Sequence, residues 1–225
     1  MNKKKNFHKI INPHDKMIKE TLSNRETAAT IFQNNLPDKV LGLMDLATLE
    51  ICKDSFIEKE LSDYYSDMLY KVMLSGTPGY VYILFEHKSY YDRYVHLQLL
   101  EYMVKIWRLF IKQQKKNQIK ALPIVIPLLI SHGKRSWPEN SDRLSFLLAG
   151  PVAELSGYIP DFKFELYDLS RFTDEEIKGT VMARVMLLLL KHISDPDIVD
   201  KLPDILALMK ELMEKETGQI GRAHV

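Results

Sequence analysis

The chain has 225 residues, of which 46% are hydrophobic and 27% are charged, with 31 Lys and Arg against 30 Asp and Glu. This composition is that of a globular protein and excludes a disordered or collagen-like chain. A net charge of +1 gives no global attraction to nucleic acid or an anionic membrane, so any such binding must come from a local patch. The length and the absence of a Gly/Ser linker predict one domain over residues 1–218.

The cysteine content and the apolar runs predict a cytoplasmic protein. Cys52 is the single cysteine, so no intramolecular disulfide can form. Residues 1–19 are basic but contain no apolar stretch of the kind found in a secretory signal. The most apolar runs, 121–130 and 181–190, are about half of the roughly 20 residues that span a bilayer. We therefore expect no membrane segment.

In chain order, the first half predicts a helix and three strands. Residues 15–32 have helical spacing, and the short apolar segment 46–51 favours a strand over a helix end. Strand-like segments at 67–74 and 80–88 flank the turn formers of 75–79, which predicts an antiparallel hairpin.

The second half predicts a long helix, two strands and two C-terminal helices. Helical periodicity runs over 92–118, with a predicted buried stripe of Leu97, Leu100, Val104, Trp107 and Ile111 and with Asp92 as the N-cap. Strands are expected at 122–130 and 162–166, and helices at 173–192 and 196–216. This order predicts an α/β protein with a mixed central sheet flanked by helices on both faces.

Charged residues end the second hairpin strand. Side chains alternate along a strand, so Glu86 and Lys88 are expected on one face of the sheet and His87 on the other. A hairpin symmetric about Thr77 would place position 67 opposite position 87, bringing Asp67 diagonally close to Glu86 and Lys88.

Two carboxylates beside an ammonium suit metal-assisted phosphodiester hydrolysis. Carboxylate oxygens are preferred ligands of Mg²⁺ or Mn²⁺, which predicts a metal between Asp67 and Glu86. Lys88 would orient the attacking water or stabilise charge on the phosphate. The alternative is a solvated strand end with Asp67 in a loop. The apolar strand, the hairpin and the following helix together favour the catalytic interpretation.

Other polar residues are weaker candidates for the same site. Gln98 and Tyr102 lie one helical turn apart and could both reach the strand end, the alternative being a surface Gln beside a core Tyr. Basic residues at 112, 115, 116 and 120, and Lys134 with Arg135, form a local patch suited to a phosphate backbone or a solvated helix end. His132 and Gly133 are interpreted as a capping turn or as a point where a ligand can approach.

An Asp on one strand, E-x-K on the next and Q-x-x-x-Y on the following helix resemble the PD-(D/E)XK nuclease superfamily. Over roughly residues 10–170 the chain is similar to the bacterial recombination-promoting nuclease/putative transposase family. The matching blocks are His14–Lys16 with Lys19–Glu20, Ser55–Ile57, Ser66–Tyr70, Tyr82–Ser89, Leu100–Met103, and Leu122–Pro123 through His132–Gly133.

The resemblance implies a restriction-endonuclease-like core and Mg²⁺-dependent DNA cleavage linked to recombination by mobile elements. It assigns Asp67 and Glu86 as metal ligands, Lys88 to positioning water, and Gln98 with Tyr102 as auxiliary residues. Glu20 would be an additional acid of the first helix. Members of the family often carry Gln at the position of Lys88, so the role of that position stays open.

The end of the chain departs from the family. Family members usually run longer, and residues 219–225 look like a translated sequencing adapter, which predicts a truncated fragment with a non-native tail. His224 is therefore not counted as a ligand.

Two functions from different classes remain. One is a metal-dependent DNA endonuclease, and the other is a noncatalytic DNA- or protein-binding relative that keeps the fold. The complete set of Asp67, Glu86 and Lys88 favours the endonuclease, because a purely binding protein has no need of two carboxylates facing a polyanion. The sequence does not decide between a monomer and a homodimer.

Overall fold

The computed structural model describes residues 13–52, 68–86, 91–114, 119–207, 210 and 214, except the side chains of 13–15, 85 and 86. The elements are α1 (Pro13–Leu22), α2 (Arg25–Asn35), α3 (Asp38–Leu41), β1 (Met44–Ile51), β2 (Met68–Leu74), β3 (Thr77–Glu86), α4 (Val95–Gln113), β4 (Val125–Ser131), β5 (Glu165–Asp168) and α5 (Val181–His192). Residues 198–207 are also helical, as are three short 3₁₀ turns at Leu144–Leu147, Ser156–Tyr158 and Leu169–Arg171.

The described strands form one sheet of five in the order β1-β2-β3-β4-β5. The pairs β1–β2 and β2–β3 are antiparallel, whereas β3–β4 and β4–β5 are parallel. Pro127 is tolerated in β4 because pairing with β5 begins only at the next residue, Leu128. The predicted mixed sheet is confirmed.

The predicted hairpin is present, but its turn is shorter than the sequence indicated. Leu74 pairs with Thr77, so the turn consists of Ser75 and Gly76, with φ values of 46° and 80°. Positive φ at both turn residues matches the twist of the two strands. Met68 therefore pairs with Ile83, and the predicted symmetry about Thr77 is wrong.

The first predicted helix is divided in two by Ser23 and Asn24. The Asn24 side chain accepts a hydrogen bond from Thr27 N at 3.0 Å and so begins α2. Both helices pack on one face of the sheet through Ile18, Leu22 and Phe32.

The penultimate helix begins later than predicted. Residues 173–180 are not helical, and Thr180 caps α5 by accepting a hydrogen bond from Ala183 N at 3.3 Å. The preceding Gly179 has a φ of 145°, which other residues rarely adopt. Asp174, Glu175 and Glu176, which the predicted helix included, therefore precede α5.

The predicted buried stripe of α4 is on the wrong side. The helix buries Val95, His96, Leu99, Tyr102, Met103 and Ile106. Leu97 and Ile111, predicted to be buried, are exposed. The helix begins at Val95 with Tyr94 as its N-cap residue, while Asp92 Oδ1 accepts from Tyr94 N at 2.9 Å. It carries two apolar stripes, and the sheet selects one of them.

Hydrophobic cores cover both faces of the sheet. On one face, α1, α2 and α5 pack over residues such as Tyr70, Val81 and Ile83. On the other face, α4 packs over Leu69, Tyr82, Leu84 and Leu129. Consecutive residues of the central strands are therefore buried in different cores, which explains their nearly uninterrupted apolar sequence.

Candidate functional site

The three parallel strands β3, β4 and β5 have their C-terminal ends side by side, at one end of the sheet. Glu86 pairs with Ser131, and Ser131 pairs with Asp168. We call these three positions the terminal row. Two residues earlier, Leu84, Leu129 and Leu166 occupy the core beneath α4, and by alternation Ser131 and Asp168 belong to the same face.

Asp168 is almost fully buried, and each of its carboxylate oxygens accepts two hydrogen bonds. Oδ1 accepts from Ser170 N at 3.1 Å and from Ser170 Oγ at 2.7 Å. Oδ2 accepts from Trp137 N at 3.0 Å and from Arg171 Nε at 3.2 Å. Four donors satisfy the buried charge, so Asp168 has a structural role and is not available to bind a metal.

Trp137, six residues after the end of β4, bonds back to the end of that strand and to the segment after β5. Its indole Nε1 donates to Ser131 Oγ at 2.8 Å, and its carbonyl accepts from Arg171 Nη2 at 2.6 Å. The ring of Tyr91 packs edge-on against this indole, with centroids 4.8 Å apart. Burial raises the pKa of Tyr91, an effect that Asp92 adds to and Arg93 opposes.

Sequence reasoning did not single out Ser131, Trp137 or Asp168 as site residues. A polar residue ending a buried strand is a usable signal, and it occurs both at Ser131 and at Asp168. The hydrogen bond between Trp137 and Asp168 joins segments 31 residues apart and has no local signature.

The structure places the two auxiliary candidates on α4. Tyr102 is buried and stacks on Tyr82 of β3, with centroids 4.9 Å apart and an angle of 26° between the rings. Gln98 is half-buried, one turn earlier. Trp107 Nε1 donates to Pro123 O at 2.8 Å, which places the C-terminal half of α4 beside the start of β4. Gln98 therefore lies toward the end of the sheet that carries the terminal row.

The three principal candidates are only partly described. The backbone of Glu86 is paired in β3, whereas Asp67 and Lys88 lie outside the described residues, as do His87, Lys115 and Lys116. Within the described part of the chain, no group of three or more His, Cys, Asp or Glu side chains is arranged to hold a metal. No described helix is long and apolar enough to cross a membrane.

Glu20, the additional acid suggested by the resemblance, is exposed on α1. Its carboxylate lies 3.7 Å from Lys16 Nζ, one turn away on the same helix. Together with Asn24, Thr27 and Met182 it lines a surface cavity of about 520 Å³.

The basic residues proposed to contact a phosphate backbone differ in whether they form an ion pair. Lys112 and Lys120 are exposed. Lys134 Nζ lies 3.4 Å from Asp195 Oδ1, whereas the exposed Arg135 has no hydrogen bond or ion pair within the described part of the chain.

Lys134 belongs to an ionic cluster at the end of α5. His192 is buried between two carboxylates, with Nε2 2.8 Å from Asp174 Oδ2 and Nδ1 2.7 Å from Asp195 Oδ2. Hydrogen bonds from Lys201 and His192 hold the pKa of Asp195 well below its usual range. Burial alone would raise the pKa of Asp174, but hydrogen bonds from Lys191 and His192 lower it. The cluster joins the segment before α5 to the segment after it.

The molecule belongs to the α/β class, and its mixed sheet flanked by helices on both faces is consistent with a restriction-endonuclease-like fold. The family model described as "Putative transposase, YhgA-like" matches residues 12–219. The chain belongs to this family of recombination-promoting nucleases and putative transposases.

Curated relatives carry nuclease names. The chain is 29% identical over 199 residues to the recombination-promoting nuclease RpnC of Escherichia coli K12, covering 88% of this chain and 64% of the relative. It is 29% identical to the recombination-promoting nuclease RpnD of Escherichia coli O157:H7, covering 88% and 74%. It is 31% identical to the inactive recombination-promoting nuclease-like protein RpnE of Escherichia coli K12, covering 88% and 64%. The chain thus spans just under two thirds of RpnC and RpnE, and no solved structure matches it significantly.

Proposed function

We propose that the protein is a divalent-metal-dependent DNA endonuclease of the PD-(D/E)XK type that acts in recombination. The observation that carries the proposal is the terminal row, where β3 ends in Glu86 next to Ser131 of β4, and Ser131 in turn lies next to Asp168 of β5. Polar residues at the carboxyl ends of parallel strands are typical of α/β binding sites. The nuclease names of RpnC and RpnD support the same class of activity.

The observed register favours Asp67 and Glu86 as partners more than the register expected from the sequence. The described pairing ends at Met68 with Ile83; if it continued by one residue, position 67 would lie opposite Leu84. Paired residues share a face, and position 86 shares it by alternation, so we expect Asp67 and Glu86 to be diagonal neighbours on the α4 side. The expected register would have placed position 67 on the opposite face from Glu86.

The donor chemistry at this edge fits a hard divalent cation. Asp168 is saturated by hydrogen bonds and leaves Asp67 and Glu86 as the proposed ligands. When bound, Mg²⁺ or Mn²⁺ polarises the phosphate and lowers the pKa of a coordinated water. Lys88 would hold the attacking water and stabilise the negative charge that develops on the phosphate. Gln98 and Tyr102 would support the site from α4.

Cleavage of plasmid DNA with Mg²⁺, with Mn²⁺ and with EDTA tests this proposal. Asp67→Asn and Glu86→Gln each remove a ligand charge, and we expect both to abolish cleavage. Glu50→Gln is the matched control, since Glu50 is exposed on the edge strand β1 and should keep full activity. Unchanged cleavage in the Asp67 and Glu86 variants would reject the assignment.

Lys88→Ala distinguishes a role in chemistry from a role in binding. We expect single-turnover cleavage to fall on the order of 10² to 10³-fold, with little change in DNA affinity at fixed salt. An equal loss in both measurements would make Lys88 a phosphate contact.

A noncatalytic relative is the second candidate, favoured by the 31% identity to RpnE, whose name describes it as inactive. DNA binding without cleavage under any divalent metal would support this alternative.

A further inference from the structure

The segment after β4 forms a compact loop at the terminal row. We call residues 132–136 the β4 loop. Its two flanking residues meet where Trp137 Nε1 donates to Ser131 Oγ at 2.8 Å. Ser131 pairs directly with Glu86, and neighbouring strands lie about 4.8 Å apart. The β4 loop therefore begins beside a proposed metal ligand and returns to the same edge.

The far end of the β4 loop is fixed by the segment that follows β5. Asp168 accepts from Trp137 N, and Arg171 donates both to Asp168 and to the Trp137 carbonyl. The hydroxyls of Ser136 and Ser170 lie 3.1 Å apart. A loop held in this way loses little conformational entropy when it binds a ligand.

The β4 loop presents cations and no acidic residue. Lys134 forms an ion pair with Asp195, with Nζ 3.4 Å from Oδ1. Arg135 is exposed and has no hydrogen bond or ion pair within the described residues. A guanidinium binds phosphate oxygens in a bidentate fashion. The available cation therefore lies on a preformed loop at the edge where a scissile phosphate would lie.

We propose that the β4 loop is a preformed contact for the phosphate backbone of duplex DNA, with Arg135 as the binding residue and Asp168 as the positioning residue. This inference rests on the proposed endonuclease function and adds to it a source of affinity separate from the metal ligands. A chain of net charge +1 needs such local contacts to hold a polyanion.

Arg135→Ala tests the contact, with Arg108→Ala as the matched control. Arg108 is an exposed arginine that follows Trp107 on α4. The hydrogen bond from Trp107 to Pro123 places this part of α4 near the start of β4, at the end of the sheet opposite the terminal row. Binding to a short fluorescent duplex is measured in EDTA at several salt concentrations. We expect Arg135→Ala to weaken affinity roughly tenfold at low salt and to reduce the slope of log Kd against log salt by about one. Arg108→Ala should change neither.

Asp168→Asn tests the positioning role. We expect a loss of affinity similar to that of Arg135→Ala, and no further loss in the double variant, because both changes remove the same contact. If Asp168→Asn fails to fold, Trp137→Phe serves in its place as a test of loop closure: it removes the donor to Ser131 together with part of the buried ring, and it keeps the backbone bonds of Trp137 to Asp168 and Arg171. Arg135→Lys should restore the salt slope but only part of the affinity, since Lys lacks the bidentate geometry.

The possible failures are distinguishable. Wild-type DNA affinity in Arg135→Ala, or equal losses of affinity in the Arg135 and Arg108 variants, would overturn the role of the β4 loop. If the wild-type protein still cleaved DNA, the proposed endonuclease function would stand. A wild-type protein that neither binds nor cleaves DNA would reject both proposals.

Discussion

Asp168 is a buried acid whose environment explains its burial without a metal. The side chain is nearly inaccessible, and its partners come from Trp137, Ser170 and Arg171. Removing the carboxylate would leave several donors unsatisfied inside the protein, which is costlier than losing an exposed ion pair.

We therefore expect Asp168→Ala to lower the free energy of unfolding by about 2–4 kcal/mol. Asp142→Ala is the control, because Asp142 is partly exposed and its carboxylate lies 3.5 Å from Lys163, a contact of about 1 kcal/mol or less. Urea denaturation of both variants measures the difference. A cost for Asp168→Ala no larger than that of the control would contradict its structural role.

The β2–β3 hairpin shows how a single turn sets the geometry of the candidate site. Ser75 and Gly76 both have positive φ, and this two-residue turn fixes the pairing of Met68 with Ile83. A register shifted by one residue would turn every following side chain of β2 to the other face.

The turn gives a prediction of opposite signs at adjacent positions. Gly76→Ala should destabilise the protein by about 1 kcal/mol, because alanine resists positive φ. Ser75→Asn should stabilise it by a few tenths of a kcal/mol, since Asn tolerates the left-handed region better than Ser. Thermal unfolding of the two variants checks both signs, and destabilisation by Ser75→Asn would count against this turn type.

The ionic cluster at the end of α5 predicts a dependence of stability on acid. Asp195 has a depressed pKa in the folded state, so it stabilises the protein above its unfolded pKa near 3.8 and loses that contribution as the pH falls below it. Asp195→Asn should lower the Tm at pH 7 by an amount equivalent to about 1 kcal/mol, and the gap from wild type should narrow between pH 4 and pH 2.5. A gap independent of pH would show that charge is not the cause.

The elements of the sheet were largely predictable from sequence, whereas their exact alignment was not. Strand composition and turn formers locate β2, β3 and β4, and the order of elements indicates the mixed sheet. Residues 75–79 are all turn formers, so sequence alone could not decide which two make the turn. Two apolar stripes compete on α4, and only tertiary packing selects the buried one. The link between Trp137 and Asp168 depends on distant segments and has no local pattern.

The sheet separates two hydrophobic cores. Leu128 and Leu129 are consecutive in β4 and both fully buried, one under α1, α2 and α5 and the other under α4. Both helical layers therefore contribute to stability, and neither face of β4 is solvated.

Leu128→Ala and Leu129→Ala should each lower the free energy of unfolding by about 2–5 kcal/mol. A sheet with one solvated face would show a large loss at only one of the two positions. Chemical denaturation of the pair provides the comparison, with Leu206→Ala as an exposed control expected to change stability by less than about 0.5 kcal/mol.

The parallel pairing of β3 with β4 and of β4 with β5 has a consequence for the order of folding. The β2–β3 hairpin needs only local contacts, but the terminal row requires the chain to cross over twice, through 87–124 and then 132–164, before Glu86, Ser131 and Asp168 become neighbours. Contacts between distant segments form late, because the entropy of closing long loops opposes them. We expect pulse-labelling hydrogen exchange during refolding to protect the β2–β3 hairpin before β5. A newly made chain would then complete the terminal row only after residues up to Asp168 have been synthesised and packed.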